Sequence, residues 1–255
     1  MLGADVSLIK EGNGPPLVLL HCLGVDHRFW DFARPLAQDF TLYRYDLPGH
    51  GAAPMPNRTY TIADLSDQLA ALMEKHAIAR AHIRGISLGG LIAQDFAARY
   101  PERVDRLILV DTTPRYTDEM RSMWAERAAT ARTKGVAVMV DALLGIWFSQ
   151  PAIARNDAGV AYVRDTLTRC SGEAYALACE ALAAADLRSG LGSIKAKTLV
   201  ICGDDDIPSF LDAARELANS IPDATLKWVP GTRHASVLEK PADAIALLGR
   251  FLQTK

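Results

Sequence analysis

Two rhythms alternate along this chain. Short runs of β-branched and leucine-rich residues read as strands at Val6–Ile9, Leu17–Leu20, Leu42–Tyr45, His82–Ile86, Leu107–Val110, Thr198–Cys202 and Leu226–Val229. Stretches of helical spacing lie between them. Thr61–Lys75 places Leu65, Leu69 and Leu72 on one face, with Thr61 and Asp64 spaced as a capping box. A second helix is expected from Gly89 to Tyr100, stopped by Pro101, and a last one at Ala242–Leu252. Near-continuous apolar strands alternating with helices predict an α/β fold, a mostly parallel sheet flanked by helices on both faces.

The alternation breaks after Asp111, and no strand pattern recurs until Thr198. The interval is alanine-rich and helical in spacing, as at Met123–Thr133 and Ala174–Ala185. The organisation predicted is a discontinuous core, residues 1–114 and 189–255, carrying an inserted helical cap, residues 115–188.

Composition narrows the class. The chain has 255 residues, 49% hydrophobic and 23% charged, with a formal net charge of -2, ordinary for a globular enzyme and without the basic footprint of a nucleic-acid or anionic-membrane binder. The first ten residues lack a charged-then-apolar leader pattern, and no apolar run is long enough to span a bilayer. Cys22, Cys170, Cys179 and Cys202 are scattered, with no CxxC and no histidine at ligand spacing. Free thiols, a cytoplasmic location and no metal are therefore expected.

The candidate chemistry centres on Gly85-Ile86-Ser87-Leu88-Gly89, which follows a strand and opens a helix. In that context Gly-x-Ser-x-Gly is a nucleophile elbow. The tight turn lifts the serine hydroxyl above the sheet, and the glycines make room for it. Serine is a weak nucleophile at neutral pH and needs a base oriented by a carboxylate. His234 is the one histidine far C-terminal to Ser87, in the order such elbows require. His21 and His50 lie in loops expected to shape a pocket, His27 opens a helix, and His76 and His82 flank a helix–strand connection. Four carboxylates compete to orient His234: Asp204, Asp205 and Asp206 after the Thr198–Cys202 strand, and Asp111 after Leu107–Val110. Oxyanion donors are expected from the backbone N–H groups of Leu88, after the nucleophile, and Leu23, in the loop after Leu17–Leu20. Cys22 lacks an elbow and is read as packing.

These segments, with LHCLG, YDLPGHG, YPERVDRLILVD, ICGDDD and GTRHASVLEKP, resemble the α/β-hydrolase superfamily over essentially the whole chain. The resemblance implies the α/β-hydrolase fold with an inserted cap. It selects Asp206 as the acid, three residues after the glycine that ends its strand. Glu239-Lys240-Pro241 matches the Glu-x-Pro that commonly follows the histidine. Within the superfamily the chain looks most like 3-oxoadipate enol-lactonases, through Tyr60–Leu65, the PERVDRLIL stretch, Trp147-Phe148-Ser149 and Ala178–Leu187. Those enzymes open an unsaturated lactone of bacterial aromatic catabolism without a cofactor. Two features depart from them. The oxyanion loop reads His21-Cys22 in place of a polar pair, and the loop after Asp46 lacks their arginine and downstream serine.

The expectation is a hydrolase acting on a small-molecule lactone or ester through an acyl-enzyme. General carboxylesterases, carbon–carbon bond hydrolases and perhydrolases share the same residues. A non-catalytic receptor on this fold would often lose a triad member, and a haloalkane dehalogenase would need a carboxylate at position 87. The cap should roof the pocket. It carries nine basic and nine acidic residues, so only an inward-facing arginine, unidentifiable from sequence, would favour an anionic substrate. Trp124, Trp147 and Phe148 are candidate substrate-binding residues.

Overall fold

The computed structural model describes residue 2 and residues 6–253. Seven strands form one sheet: β1 (Leu8–Glu11), β2 (Pro16–Leu20), β3 (Thr41–Tyr45), β4 (Ala81–Ile86), β5 (Val104–Val110), β6 (Lys197–Gly203) and β7 (Ala224–Val229), in the spatial order β1-β3-β2-β4-β5-β6-β7. Only the β1–β3 pair is antiparallel. The first strand begins two residues later than its apolar pattern predicts. Its pairing with β3 runs from Leu8 to Glu11, and a partly exposed edge strand is set by its ladder partner more than by its own alternation. The strands β2 to β6 are buried almost throughout, as a parallel sheet covered on both faces requires.

The covering helices of the core are α1 (Ile62–Lys75), α2 (Leu88–Arg99), α9 (Pro208–Ser220) and α11 (Pro241–Gln253), with a 3-10 helix at His27–Gln38. The Thr61 hydroxyl accepts from the Asp64 N–H while the Asp64 carboxylate accepts from the Thr61 N–H, the reciprocal cap expected. Arg84, fully buried in β4, rests on the rings of Trp30 (4.5 Å) and Phe32 (5.6 Å) from the 3-10 helix. The aromatic faces supply part of the electrostatic stabilisation that a carboxylate would give.

Between β5 and β6 the described chain is helical: α3 (Asp118–Lys134), a 3-10 turn, α4 (Val140–Trp147), α5 (Gln150–Arg155), α6 (Ala158–Arg169), α7 (Gly172–Ala184) and α8 (Arg188–Leu191). Its two ends meet. Arg115 and Asp186 form an isolated antiparallel bridge, and the Leu187 N–H donates to the Pro114 carbonyl at 2.9 Å. Among the described residues no helix is long and apolar enough to cross a membrane.

Parallel pairing has one consequence for function. The C-terminal ends of β2, β4, β5, β6 and β7 are neighbours, through the pairs Leu20–Gly85, Ile86–Val110, Val110–Ile201 and Gly203–Val229. Loops leaving those ends converge on one edge, where sheets of this kind place their ligands.

Candidate active site

Ser87 stands between β4 and α2 with φ 50° and ψ -113°. This left-handed backbone is costly for a residue with a side chain, about 1–3 kcal/mol, and its surroundings hold it there. The Ser87 N–H donates to the Val110 carbonyl of β5 at 3.0 Å, and the Thr112 hydroxyl donates to the Ser87 carbonyl at 2.8 Å. The flanking glycines are dictated by close backbone approach. A Cβ on Gly85 would lie 2.0 Å from the Gly89 carbonyl oxygen, and one on Gly89 would lie 2.2 Å from the Leu20 carbonyl oxygen of β2.

The imidazole of His234 receives this hydroxyl. His234 Nε2 lies 3.0 Å from Ser87 Oγ, and His234 Nδ1 lies 2.9 Å from Asp206 Oδ2. A carboxylate only accepts, so Nδ1 carries the proton and Nε2 is left to accept from Ser87. The second Asp206 oxygen accepts from the Ile207 N–H at 2.7 Å. All three side chains are buried. Burial opposes a charged His234, but the charge and hydrogen bond of Asp206, with a further contribution from Asp111, outweigh it and raise the imidazole pKa.

The competing carboxylates are disposed elsewhere. Asp204 and Asp205 are exposed, and Asp204 caps the turn by accepting from the Gly231 N–H. Asp111 is fully buried with φ 42°, and it accepts from the Gly203 N–H, the Ser236 N–H and the Ser236 hydroxyl at 3.0, 3.0 and 2.7 Å. It therefore binds the loop carrying Asp206 to the loop carrying His234 without bonding the imidazole. Burial, opposed by His234, pushes its carboxyl up to about 7.

The loop after β2 is held by a neutral histidine. The Leu47 N–H donates to His21 Nε2 at 2.9 Å, so His21 Nδ1 carries the proton donated to the Cys22 carbonyl at 2.8 Å. Burial lowers the His21 pKa and keeps the ring neutral, while its two hydrogen bonds set the tautomer. Leu23, next in the chain, is buried, as is Leu88 at the start of α2. Burial also pushes the Cys22 thiol far up, which removes it as a thiolate nucleophile.

Of the aromatic candidates, Trp147 reaches the site, its ring centroid 6.3 Å from that of His234. Trp124 packs edge-on against Tyr116 at 5.4 Å and carries Arg127 over its ring. Phe148 is buried toward Gly159 of α6, and the ring contacts of His234 are made by Trp147 and by Phe210 of α9, at 4.3 Å. Phe210 and Ser236 carry no motif in sequence and are functional neighbours only through the packing of α9 and of the short helix α10 (Ser236–Glu239).

A cavity of about 460 Å³ opens where the core meets the inserted helices, with Asp26, His27, Asp46, His50, Arg169 and Ser171 in its wall; the Ser87 hydroxyl is not part of that wall. Asp26, His27 and Asp46 bring ligating atoms within 4.8 Å of one another. Their oxygens are already engaged. Asp26 holds Arg28 and Tyr162, and Asp46 accepts from His27 and the Ala52 N–H.

Comparison with known proteins identifies the family and the fold. A family model described as alpha/beta hydrolase fold matches residues 15–241. A pimeloyl-[acyl-carrier protein] methyl ester esterase of Chromobacterium violaceum is 34% identical, with 96% of each chain covered. 3-Oxoadipate enol-lactonase 2 of Acinetobacter baylyi is 31% identical, covering 91% of this chain and 86% of that one. The crystal structure of the enol-lactonase from Burkholderia xenovorans LB400 superposes with a TM-score of 0.93 at 34% identity, over 98% of this chain and 96% of that one.

Proposed function

The chain belongs to the α/β-hydrolase family and is a hydrolase of the esterase type, and from that premise we propose that it opens a small lactone or ester through an acyl-enzyme on Ser87. The observation that carries this reading is the continuous relay from Ser87 Oγ to His234 Nε2 and from His234 Nδ1 to Asp206.

In the proposed sequence, Ser87 Oγ attacks the carbonyl as its proton passes to His234 Nε2. Asp206 stabilises the imidazolium and fixes its tautomer. The N–H groups of Leu23 and Leu88 receive the oxyanion, with the positive end of α2 behind Leu88. His234 then protonates the leaving oxygen and activates the water that releases the acid. For an enol lactone the leaving group is an enolate, which departs readily. The relatives that act on enol-lactones and the structural likeness to one of them favour a lactone of bacterial aromatic catabolism. The relative named for a pimeloyl-[acyl-carrier protein] methyl ester favours a carboxylic methyl ester. Both present the same carbonyl chemistry to the same residues.

The insertion between residues 115 and 188 is read as a cap over this site. Its closure at the Arg115–Asp186 bridge and the position of Trp147 beside His234 support that reading. The test is a panel of lactones and short esters assayed with the wild-type chain and Ser87→Ala. Turnover of at least one of them, lost in the variant, is expected. Undiminished turnover in the variant removes Ser87 from the chemistry.

A further inference from the structure

The loop that carries His234 is held from two sides. On the sheet side Asp111 accepts from the N–H and the hydroxyl of Ser236. On the other side the inserted helices hold it, through the residues that flank the histidine. The Ala235 N–H donates to the Trp147 carbonyl at 2.8 Å, and the Arg233 guanidinium donates to the Gly145 carbonyl at 2.7 Å. One half-buried carboxylate joins these contacts. Glu239 Oε1 accepts from the Arg233 N–H at 2.8 Å. Its other oxygen, Oε2, accepts from the Ser149 N–H at 3.0 Å and from the Ser149 hydroxyl. Ser149 stands in the link between α4 and α5.

A carboxylate offers two acceptor oxygens and no donor, so Glu239 serves the histidine loop with one oxygen and the insertion with the other. Segment 145–149 thereby carries the backbone immediately before and immediately after His234, and its Trp147 ring lies beside the imidazole. The imidazole reaches Ser87 Oγ across 3.0 Å, and a shift of about 1 Å in such a contact is enough to cost most of the rate. We propose that Glu239 is a positioning residue that locks segment 145–149 to the His234 loop, so that the base engages Ser87 only while that part of the insertion is seated. The inference rests on the hydrolase reading above and adds to it a coupling between the placing of the insertion and the readiness of the base.

Three variants divide the lock. Glu239→Ala removes both halves. Glu239→Gln keeps the volume, and so the fold, but sets an amide NH2 against one group of donors. Ser149→Pro removes both donors of the insertion and leaves Glu239 with Arg233. Ser149 has φ -64° and ψ 149°, and Phe148 has φ -125° and ψ 150°, backbone that proline and its preceding residue adopt without strain. Thr61→Ala, at the distant cap of α1, is the stability control.

On a substrate that the wild type hydrolyses, kcat per folded molecule should fall at least about tenfold in Glu239→Ala and Ser149→Pro, and at least about threefold in Glu239→Gln, with KM within about threefold. The double variant of Glu239→Ala with Ser149→Pro should be no slower than the slower single one, because both break one connection. Proton NMR of the His234 Nδ1–H, assigned by its loss in His234→Gln, reads the geometry without substrate. That resonance should match the wild type in Thr61→Ala and be broadened or shifted in Glu239→Ala and Ser149→Pro. The inference is overturned by an unchanged kcat or an unchanged resonance in either of those two, or by losses confined to KM. Losses that multiply in the double variant also overturn it, since Glu239 and Ser149 would then act separately. If the wild type hydrolyses nothing in the panel, the hydrolase reading fails, and the resonance still decides whether Glu239 and Ser149 hold the histidine.

Discussion

At Ser87 a strained backbone, a base and an acid meet within two hydrogen bonds, and each makes a separable prediction. Ser87→Ala should lower turnover at least about a thousandfold with the melting temperature little changed, because it removes the acyl-enzyme while keeping the Cβ that sets the strain of the turn. Asp206→Asn should cost far more activity than Asp204→Asn or Asp205→Asn, since only Asp206 meets the imidazole. Asp111→Asn is the informative intermediate. It keeps the volume but takes one acceptor from the network on Gly203 and Ser236, so kcat should fall by about tenfold, the order expected for a second-layer positioning contact, and less than in Asp206→Asn. The pH dependence has a definite sign. His234 must be neutral to accept the serine proton, and its pKa is raised chiefly by Asp206. kcat/KM should therefore fall as the pH drops through a midpoint above the ordinary histidine value of about 6.5. In Asp111→Asn that midpoint should move down, because one of the carboxylates favouring the imidazolium is gone. A midpoint that stays fixed would mean Asp111 is neutral throughout the working range.

At the scale of elements, the elbow is the part least tolerant of change. A methyl on Gly89 would collide with the backbone of β2, not with a side chain that can turn aside. Gly89→Ala should therefore destabilise the protein more than loss of a helix cap does. Thr61→Ala supplies the scale. It removes the capping hydroxyl of α1, worth about 1 kcal/mol, and should appear as a shifted urea midpoint with activity per folded molecule preserved. Measured side by side, an effect of Gly89→Ala no larger than that of Thr61→Ala would mean that α2 shifts along β2 to accommodate the methyl. The first strand illustrates the opposite regime. Its limits follow its partner, and its own apolar pattern is two residues out of step with the ladder.

For the whole molecule, the issue is what the helices between β5 and β6 admit. If they act as a cap, short acyl esters and small lactones should be hydrolysed with kcat/KM at least about a hundredfold above that for long-chain triglycerides or peptides, because an enclosed site excludes water and bulk together. A rate that holds up as the acyl chain lengthens would mean that the insertion stands open. Arg28, Asp26 and Tyr162 form a contact between the core and α6, so Tyr162→Phe is expected to loosen the insertion and broaden this chain-length profile without touching the relay. Fold and stability should survive that change, since the core packs independently of that hydroxyl.

Much of this was legible in the chain itself, for physical reasons. A tight strand–turn–helix leaves a local signature because steric exclusion acts between residues a few positions apart, which is why Gly85, Ser87 and Gly89 identified the elbow. Apolar runs locate buried strands, and chain order singled out His234. The choice of acid was different in kind. Four carboxylates satisfied the local rules; the resemblance singled out Asp206, and the register of β5, β6 and β7 supplies the physical reason, setting Asp206 against the imidazole while Asp111 turns to Gly203 and Ser236. The stacking of Arg127 on Trp124 was equally hidden, since charges on a helix read alike in sequence and it takes the packing of α3 beside α7 to set Arg127 between Trp124 and Tyr175. Local sterics and periodicity determine which residues can react; the meeting of loops from separate strands and helices determines which of them do, and on what.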